Sequence, residues 1–193
     1  MNTMPADSDM PTSTFLDSAK EATQQGKGLP PVHLWNPPLC GDLDMRIASD
    51  GAWYYEGSPI NRSSLVRLFS TILRYDDDGC FYLVTPVEKW RIQVEAAPFI
   101  AIAVEKKELE GKQTLNFVTN VGDRVTADAQ HPIRVEVDPN SDEPSPFVVI
   151  RDGLEAKLSR SVFYQLADMA EEKELSGQPT YGVESTGQFF ALA

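Results

Sequence analysis

Apolar and polar residues alternate between positions 42 and 47, which is the two-residue period of a half-buried β-strand. Leu43, Met45 and Ile47 are the apolar positions, and charged residues separate them. A Ser-Asp-Gly turn follows at residues 49–51, and the aromatic residues 53–55 then return as a partner strand. The pattern predicts a β-hairpin over residues 42–55.

A helical period begins after the Glu-Gly-Ser-Pro loop at residues 56–59. The apolar positions of this period are Leu65, Val66, Leu68, Phe69, Ile72 and Leu73. Asn61 is a preferred N-cap residue, so we predict an amphipathic helix that begins there and carries Arg62 in its first turn. A shorter helix is predicted from Ser13 or Thr14 to a stop at Gly26.

The order strand, glycine, helix occurs a second time about a hundred residues later. Residues 147–153 form a strand-like run that ends in glycine, as residues 53–57 do, and residues 158–166 resemble residues 60–68. Two extra residues between glycine and helix break the strict register. The similarity therefore indicates a pseudo-repeat without proving a duplication.

Between the two copies, short alternating runs separated by turn residues predict a meander of antiparallel strands. The proline-rich segment 28–38 is predicted to lie extended over the core through Leu34 and Trp35, and the tail from Leu175 is predicted to dock. We divide the chain into a flexible N-terminus with a short helix (1–27), a first α+β unit (28–110) and a second α+β unit packed with it (111–193).

These elements together predict the fold class. We expect an α+β fold of mostly antiparallel strands with two main helices, built from two similar, intertwined strand-loop-helix units.

Composition removes several functional classes from consideration. The 193 residues include 41% hydrophobic residues and have a formal net charge of −12, which disfavours nucleic-acid binding. No apolar run approaches the ~20 residues of a membrane span, and the first residues lack the features of a signal peptide, so we expect a cytoplasmic protein. Cys40 and Cys80 lack metal-site spacing and are expected to be reduced, partly buried thiols.

Common catalytic and metal-binding motifs are missing from the sequence. It has no G-x-S-x-G, P-loop or G-x-G-x-x-G motif, and neither His33 nor His131 lies in a catalytic pattern. The run Asp76-Asp77-Asp78-Gly79 lacks the alternating spacing of a calcium loop and is predicted to be a turn. We therefore predict no catalytic residue, metal or cofactor, and favour a protein that is not an enzyme over an enzyme of unfamiliar type.

Two arginines at predicted helix starts are the best candidates for binding a ligand. Arg62 follows Asn61, and Arg160 follows Ser159, where backbone amides and a guanidinium attract anions. An internal ion pair is the alternative, with Glu56, Glu88, Asp152 and Glu155 as possible partners. The predicted ligand-binding set consists of Arg62, Arg160, Asn61, Tyr55, Glu88 and Arg151, although aromatic residues on a strand, such as Tyr55, are usually core residues.

Long strings of the sequence resemble the bacterial family catalogued as domain of unknown function 1285. The resemblance spans residues 28–190, and its strings include LPPVHLWNPPLCGDLDMRI, DGAWYYEGSPINRSSLVRLFSTILR, LVTPVEK, FVTNVGD and IRDGLEAKLSRSVFYQLADMA. It implies an α+β fold with repeated motifs, two small intertwined units and a signalling or regulatory role. It supplies no catalytic residue.

Three functional hypotheses follow. The first is a regulatory or ligand-binding protein, with a role in signal transduction, that holds a small anionic ligand in a cleft between the repeat units near Arg62 and Arg160. The second is a protein-interaction adaptor that uses exposed strand edges or the proline-rich segment. The third is an enzyme of an unfamiliar type.

Overall fold

The computed structural model describes residues 13–24, 28–139 and 142–192. The chain divides into two compact units, residues 1–96 and residues 97–193. The Gly26 helix stop predicted from the sequence lies outside the described residues.

The described residues of the first unit form two α-helices, a short 3₁₀ helix (Val32–Leu34) and six strands. The helices are α1 (Ser13–Gln24) and α2 (Ser63–Thr71), and the strands are β1 (Leu39–Ile47), β2 (Trp53–Tyr55), β3 (Ser58–Pro59), β4 (Leu73–Tyr75), β5 (Phe81–Val84) and β6 (Lys89–Val94). The strands form one sheet in the order β3-β2-β1-β6-β5-β4. The hairpin predicted over residues 42–55 is the antiparallel pair β1–β2, whereas β1 and β6 are parallel.

In the second unit, the residues that the structure describes form one helix and nine strands. Its elements are β7 (Phe99–Leu109), β8 (Lys112–Thr119), β9 (Arg124–Thr126), β10 (Ile133–Val137), β11 (Pro144–Arg151), β12 (Leu154–Leu158), α3 (Arg160–Asp168), β13 (Glu171–Leu175), β14 (Gln178–Ser185) and β15 (Gln188–Ala191). One sheet has the order β10-β11-β12-β7-β8-β9, and a smaller antiparallel sheet has the order β13-β14-β15.

The described chain is therefore an α+β fold with three α-helices and mostly antiparallel strands, as predicted. The exceptions are two parallel pairs, β1–β6 and β12–β7. The predicted meander did not include them, because alternation shows which face of a strand is buried but not which strand lies beside it. No described helix is long and apolar enough to cross a membrane.

Strand β7 belongs to the second unit, whereas the border predicted from the sequence between the two units lies after residue 110. The strand pairs with β8 along most of its length and with β12 at residues 99–101. Both partners lie in the second unit, so the unit starts at Ala97.

Three stacked aromatic rings connect the helices of the first unit to its sheet. Phe69 of α2 lies between Phe15 of α1 and Trp53 of β2, with ring centroids 6.2 Å apart in each pair and planes inclined by 22°. All three side chains are at most 2% exposed. The apolar stripe predicted for α2 therefore faces the core, where Phe69 packs between the other two rings.

The two principal helices begin in different ways. Ser159 is the N-cap of α3, as predicted, because its hydroxyl accepts a hydrogen bond from the Val162 amide. The prediction of Asn61 as the cap of α2 is wrong, since Arg62 is the N-cap residue and makes no side-chain cap hydrogen bond. Leu73, which was placed on the helical stripe, lies in β4.

Both segments of the predicted repeat form a hairpin followed by a helix. Tight turns at Glu56-Gly57 and Asp152-Gly153 have positive φ at both central residues, the backbone of a type I′ hairpin turn, and glycine takes the second position without a steric cost. The hairpins differ in their sheets, because β3 is an edge strand and β12 is internal. An evolutionary duplication therefore stays a prediction.

The 3₁₀ segment is held by a cluster of charged residues in the first unit. The Arg74 guanidinium donates hydrogen bonds to the carbonyl oxygens of Val32 and Trp35 at 3.0 and 2.7 Å. The carboxylate of Asp76 accepts hydrogen bonds from Arg74 and from Lys89, which lies 3.9 Å from the centroid of the Tyr82 ring. Arg74 thus holds the 3₁₀ segment through its backbone oxygens.

Two side-chain expectations for the first unit are wrong. Val32 is buried, but Leu34 is 71% exposed and does not pack on the core, because at three residues per turn the two side chains point in different directions from the 3₁₀ helix. Cys40, expected to be partly buried, is exposed, whereas Cys80 is half-buried, and both thiols are free.

The tail from Leu175 docks on the larger sheet of the second unit through Ser185. The fully buried hydroxyl of Ser185 donates to the Ala127 carbonyl at 2.7 Å and accepts from the Leu115 amide at 2.9 Å. Gly182 is also required in this tail, since an added Cβ would lie 2.3 Å from the carbonyl oxygen of Phe190.

Replacement of Asp76 is expected to destabilise the first unit in a pH-dependent way. Burial opposes ionisation of Asp76, but hydrogen bonds from Arg74 and Lys89 outweigh it and place its pKa below the ordinary value. Such a carboxylate stabilises the fold above its unfolded-state pKa of about 3.9, and this contribution is lost as the pH falls through the lower folded-state pKa. Asp76→Asn should therefore reduce the free energy of unfolding by about 1–3 kcal/mol at pH 7, and by less below about pH 4.

Urea unfolding followed by tryptophan fluorescence measures this effect, because Trp35, Trp53 and Trp90 all lie in the first unit. The exposed neighbour Asp77 provides the matched control Asp77→Asn, which should leave stability unchanged. Equal destabilisation by Asp76→Asn at pH 7 and pH 3 would contradict this explanation.

Ser185→Ala is expected to loosen the attachment of the tail and reduce the stability of the second unit by about 1–3 kcal/mol, because the buried Leu115 amide loses its acceptor. Hydrogen exchange of the Leu115 amide, followed by NMR, provides the measurement and should become faster. Gln188→Ala, at an exposed position of the same small sheet, is the control. Unchanged protection of Leu115 in the Ser185 variant would refute the role of this hydroxyl.

Candidate functional site

A cavity of about 480 Å³ lies in the second unit, beyond the end of β12. Its walls are formed by the start of β11, the end of β12 and the first turns of α3. The lining residues are Glu143, Pro144, Ser145, Pro146, Lys157, Leu158, Arg160, Phe163 and Tyr164. The volume falls in the range of about 300–1,000 Å³ that is usual for small-molecule sites.

The cavity exists because β12 stops while its neighbour continues. The last pair between β11 and β12 joins Phe147 to Lys157, whereas residues 144–146 of β11 pair with β10. Pro144 and Pro146 have no amide hydrogen to donate to another strand. Ser159 then caps α3, so the chain turns away and leaves the space open.

Two cationic side chains, Lys157 and Arg160, line the cavity. Lys157 occupies a polar position of β12, between the buried Ala156 and Leu158, and Arg160 is the exposed first residue of α3. Within the part of the chain that the structure describes, neither side chain forms an ion pair. Both cations are therefore available to an anion that enters the cavity.

Arg134 of β10, the strand beside β11, is in contrast already engaged. The guanidinium of Arg134 binds both carboxylate oxygens of Glu155, at 2.6 and 2.5 Å, and also contacts Glu136. These hydrogen bonds raise the pKa of Arg134 above its ordinary value, against the opposing effect of burial. Glu155, one of the internal partners considered for Arg160, therefore belongs to another ion pair.

Aromatic and aliphatic groups complete the walls. Tyr164 is 59% exposed and follows Arg160 by four residues, so the two side chains lie on the same face of α3. Phe163 is half-buried, and Pro144 and Pro146 add apolar surface on the opposite strand. Glu143 also lines the cavity, so the site combines apolar surface, two basic residues and one acidic residue.

Of the six residues predicted as a ligand site, Arg160 lines this cavity. Arg151 also lies in the second unit, where it forms an ion pair with Asp123 and places its guanidinium 5.0 Å from the centroid of the Phe99 ring. The remaining four, Tyr55, Asn61, Arg62 and Glu88, lie in the first unit. The structure therefore divides the predicted set between the two units.

The four residues in the first unit occupy different environments. Tyr55 is 9% exposed in β2, and burial, followed by the nearby Glu56 and Asp44, raises its pKa. Asn61 and Arg62 are exposed before α2, and Arg62 makes a polar or electrostatic contact of its own. Glu88 follows the turn capped by Thr85, and its Oε2 atom is buried without a hydrogen-bond partner among the described residues.

Sequence reasoning missed Lys157, Tyr164 and the proline-rich start of β11. Tyr164 could have been found from its four-residue spacing from Arg160. Lys157 could have been found from its polar position in the alternating run 154–158. The wall formed by residues 143–146 depends on the register between β11 and β12, which local patterns do not specify.

A second hollow, of about 320 Å³, lies beside the small sheet of the second unit and is lined by Glu172, Glu174, Gly177 and Pro179. Its two carboxylates disfavour an anion. No group of three or more histidine, cysteine or acidic side chains among the described residues is arranged to hold a metal ion.

These observations define an α+β protein of two compact units, with one mixed cationic and aromatic cavity in the second. Sequence comparison matches the two units to two family descriptions. Residues 30–97 match the N-terminal domain of unknown function DUF1285, and residues 98–192 match the C-terminal domain of the DUF1285 protein of unknown function. The chain belongs to the DUF1285 family.

Two crystal structures of DUF1285 family proteins resemble this fold. The protein from Silicibacter pomeroyi DSS-3 is 50% identical, with a TM-score of 0.82 over 92% of this chain and 93% of that chain. The protein from Shewanella baltica OS155 is 29% identical, with a TM-score of 0.51 over 64% of this chain and 89% of that chain. No curated protein matches the sequence. The similarity thus gives the family and the fold, and the cavity is the basis for inferring a function.

Proposed function

We propose that this protein is a cytoplasmic ligand-binding regulatory protein that binds a small organic anion in the cavity beyond β12. The observation that carries the proposal is that Lys157 and Arg160 both line a cavity of about 480 Å³ without forming an ion pair in the described chain. A cationic pair on a concave surface attracts an anion, and the apolar walls exclude water from part of it. The signalling role implied by the family resemblance fits such a sensor.

The contrast with the other arginines supports this assignment. Arg74 and Arg151, at 13% and 15% side-chain exposure, pair with Asp76 and Asp123. Burial of an unpaired charge is costly, so these two must be paired for the fold to be stable. Arg160 is exposed and has no such requirement, which leaves its guanidinium free for a ligand.

Arg160→Ala and Lys157→Ala are each expected to weaken the binding of a small anion by about tenfold, because each removes one charge-assisted hydrogen bond that solvent partly screens. Calorimetric titration of the full chain with inorganic phosphate, citrate and adenosine monophosphate provides the measurement. Binding should also weaken as the salt concentration rises.

Two control variants test whether a loss of binding is local to the cavity. Gln165→Ala removes an exposed side chain from the same helix, and Arg67→Ala removes an exposed arginine from α2 in the first unit. Both should bind as the unaltered protein does. The proposed site would be refuted if the anions bind to the Arg160 and Lys157 variants as tightly as to the unaltered protein, or if none of them binds to the unaltered protein.

A second candidate function, interaction with a protein, is favoured by exposed apolar side chains in the first unit. Leu39 and Val87 are 54% and 63% exposed, and they lie near the same end of the β1–β6 pair, where Leu39 is opposite Lys89. An adaptor would use this surface to pack against an apolar segment of its partner.

The adaptor function predicts that Leu39→Ser combined with Val87→Ser abolishes the co-purification of a specific partner from cells that express the full chain. Leu109→Ser combined with Val137→Ser is a matched control, since these side chains of the second unit are 65% and 59% exposed. Proteins retained equally by both double variants would exclude this surface as the docking site.

A further inference from the structure

We propose that the ligand of the cavity beyond β12 is a small phosphate monoester that carries an aromatic ring. This inference rests on the proposed function, because it names the chemical class of the anion that the same cavity would hold. Its structural basis is the placement of two cations and one exposed aromatic ring on neighbouring walls.

The two positive charges in the cavity favour a phosphate monoester as the anionic group of the ligand. A phosphate monoester carries a charge of about −1.5 to −2 at pH 7 and offers three acceptor oxygens. The guanidinium of Arg160 can donate to two of these oxygens, and the ammonium of Lys157 supplies a second positive charge. A single carboxylate would use only part of this donor capacity.

The surroundings of the two cations limit how much negative charge the ligand can carry. The acidic residue Glu143 lines the same cavity, and the whole chain has a formal net charge of −12. Lys157, Arg160 and Glu143 together carry a formal charge of +1, which a phosphate dianion already exceeds, and each further phosphate of a triphosphate would add negative charge near Glu143. We therefore expect a monoester to bind more tightly than a triphosphate of the same alcohol.

The position of Tyr164 favours an aromatic ring in the organic part of the ligand. Its ring is 59% exposed, and its hydroxyl makes no hydrogen bond within the described residues. The ring is one helical turn from Arg160, so a phosphate at Arg160 would bring its ester group towards Tyr164. An aromatic ester group would bury part of this surface, and its contact with Tyr164 is expected to increase affinity by about fivefold to tenfold.

The test compares phenyl phosphate with methyl phosphate, which carry the same anionic group and differ in the ring. Calorimetric titration of the full chain should show phenyl phosphate binding about fivefold to tenfold more tightly. Tyr164→Ala should remove this difference, whereas Tyr164→Phe, which keeps the ring, should retain it. Arg160→Ala should weaken both probes to a similar degree.

The possible results separate this inference from the proposed function. If the two phosphates bind with equal affinity, or if the preference for phenyl phosphate persists in Tyr164→Ala, the proposed contact between a ligand ring and Tyr164 is wrong. The proposed anion site would remain. If phenylacetate binds as tightly as phenyl phosphate, the preference for a phosphate group is wrong. If adenosine triphosphate binds more tightly than adenosine monophosphate, the proposed limit on the charge of the ligand is wrong. Phosphate binding that is insensitive to Arg160→Ala, or absent, would refute both proposals.

Discussion

The register of the β11–β12 hairpin determines the geometry of the cavity. The two-residue turn at Asp152-Gly153 closes the hairpin, and an irregularity between Val149 and Arg151 shifts the pairing by one residue, which places Lys157 opposite Phe147. Because Lys157 is thereby opposite Phe147, β12 ends beside the prolines at 144 and 146, which cannot donate to a longer partner. A shift of one residue would turn Lys157 towards the core and close the space in which the ligand is proposed to bind.

Burial explains which charged side chains are structural and which are available for binding. In the first unit, Arg74, Asp76 and Lys89 lie at 13–22% side-chain exposure and satisfy one another while holding the 3₁₀ segment. In the second unit, Arg151 does the same with Asp123. Arg160 differs because solvent stabilises its charge in the absence of a partner, so no internal carboxylate is needed there.

Local patterns predicted the elements of this fold better than they predicted their arrangement. Alternation identified the β1–β2 hairpin, and the Ser159 cap identified the start of α3, because both depend on neighbouring residues. The parallel partner of β12 lies more than fifty residues away, and no local signal specifies that pairing. For the same reason Arg160 could be found from the sequence as a candidate, whereas the wall at residues 143–146 could not.

Local and distant charges act on an anion in the cavity over different ranges. The Debye length is about 8 Å at physiological ionic strength, so most of the net charge of −12 is screened from a ligand in contact with Lys157 and Arg160. Glu143 lines the cavity itself, so its charge is screened much less. The preference between singly and multiply charged anions is therefore set mainly by Lys157, Arg160 and Glu143, while the overall acidity of the protein acts chiefly on the rate at which an anion approaches.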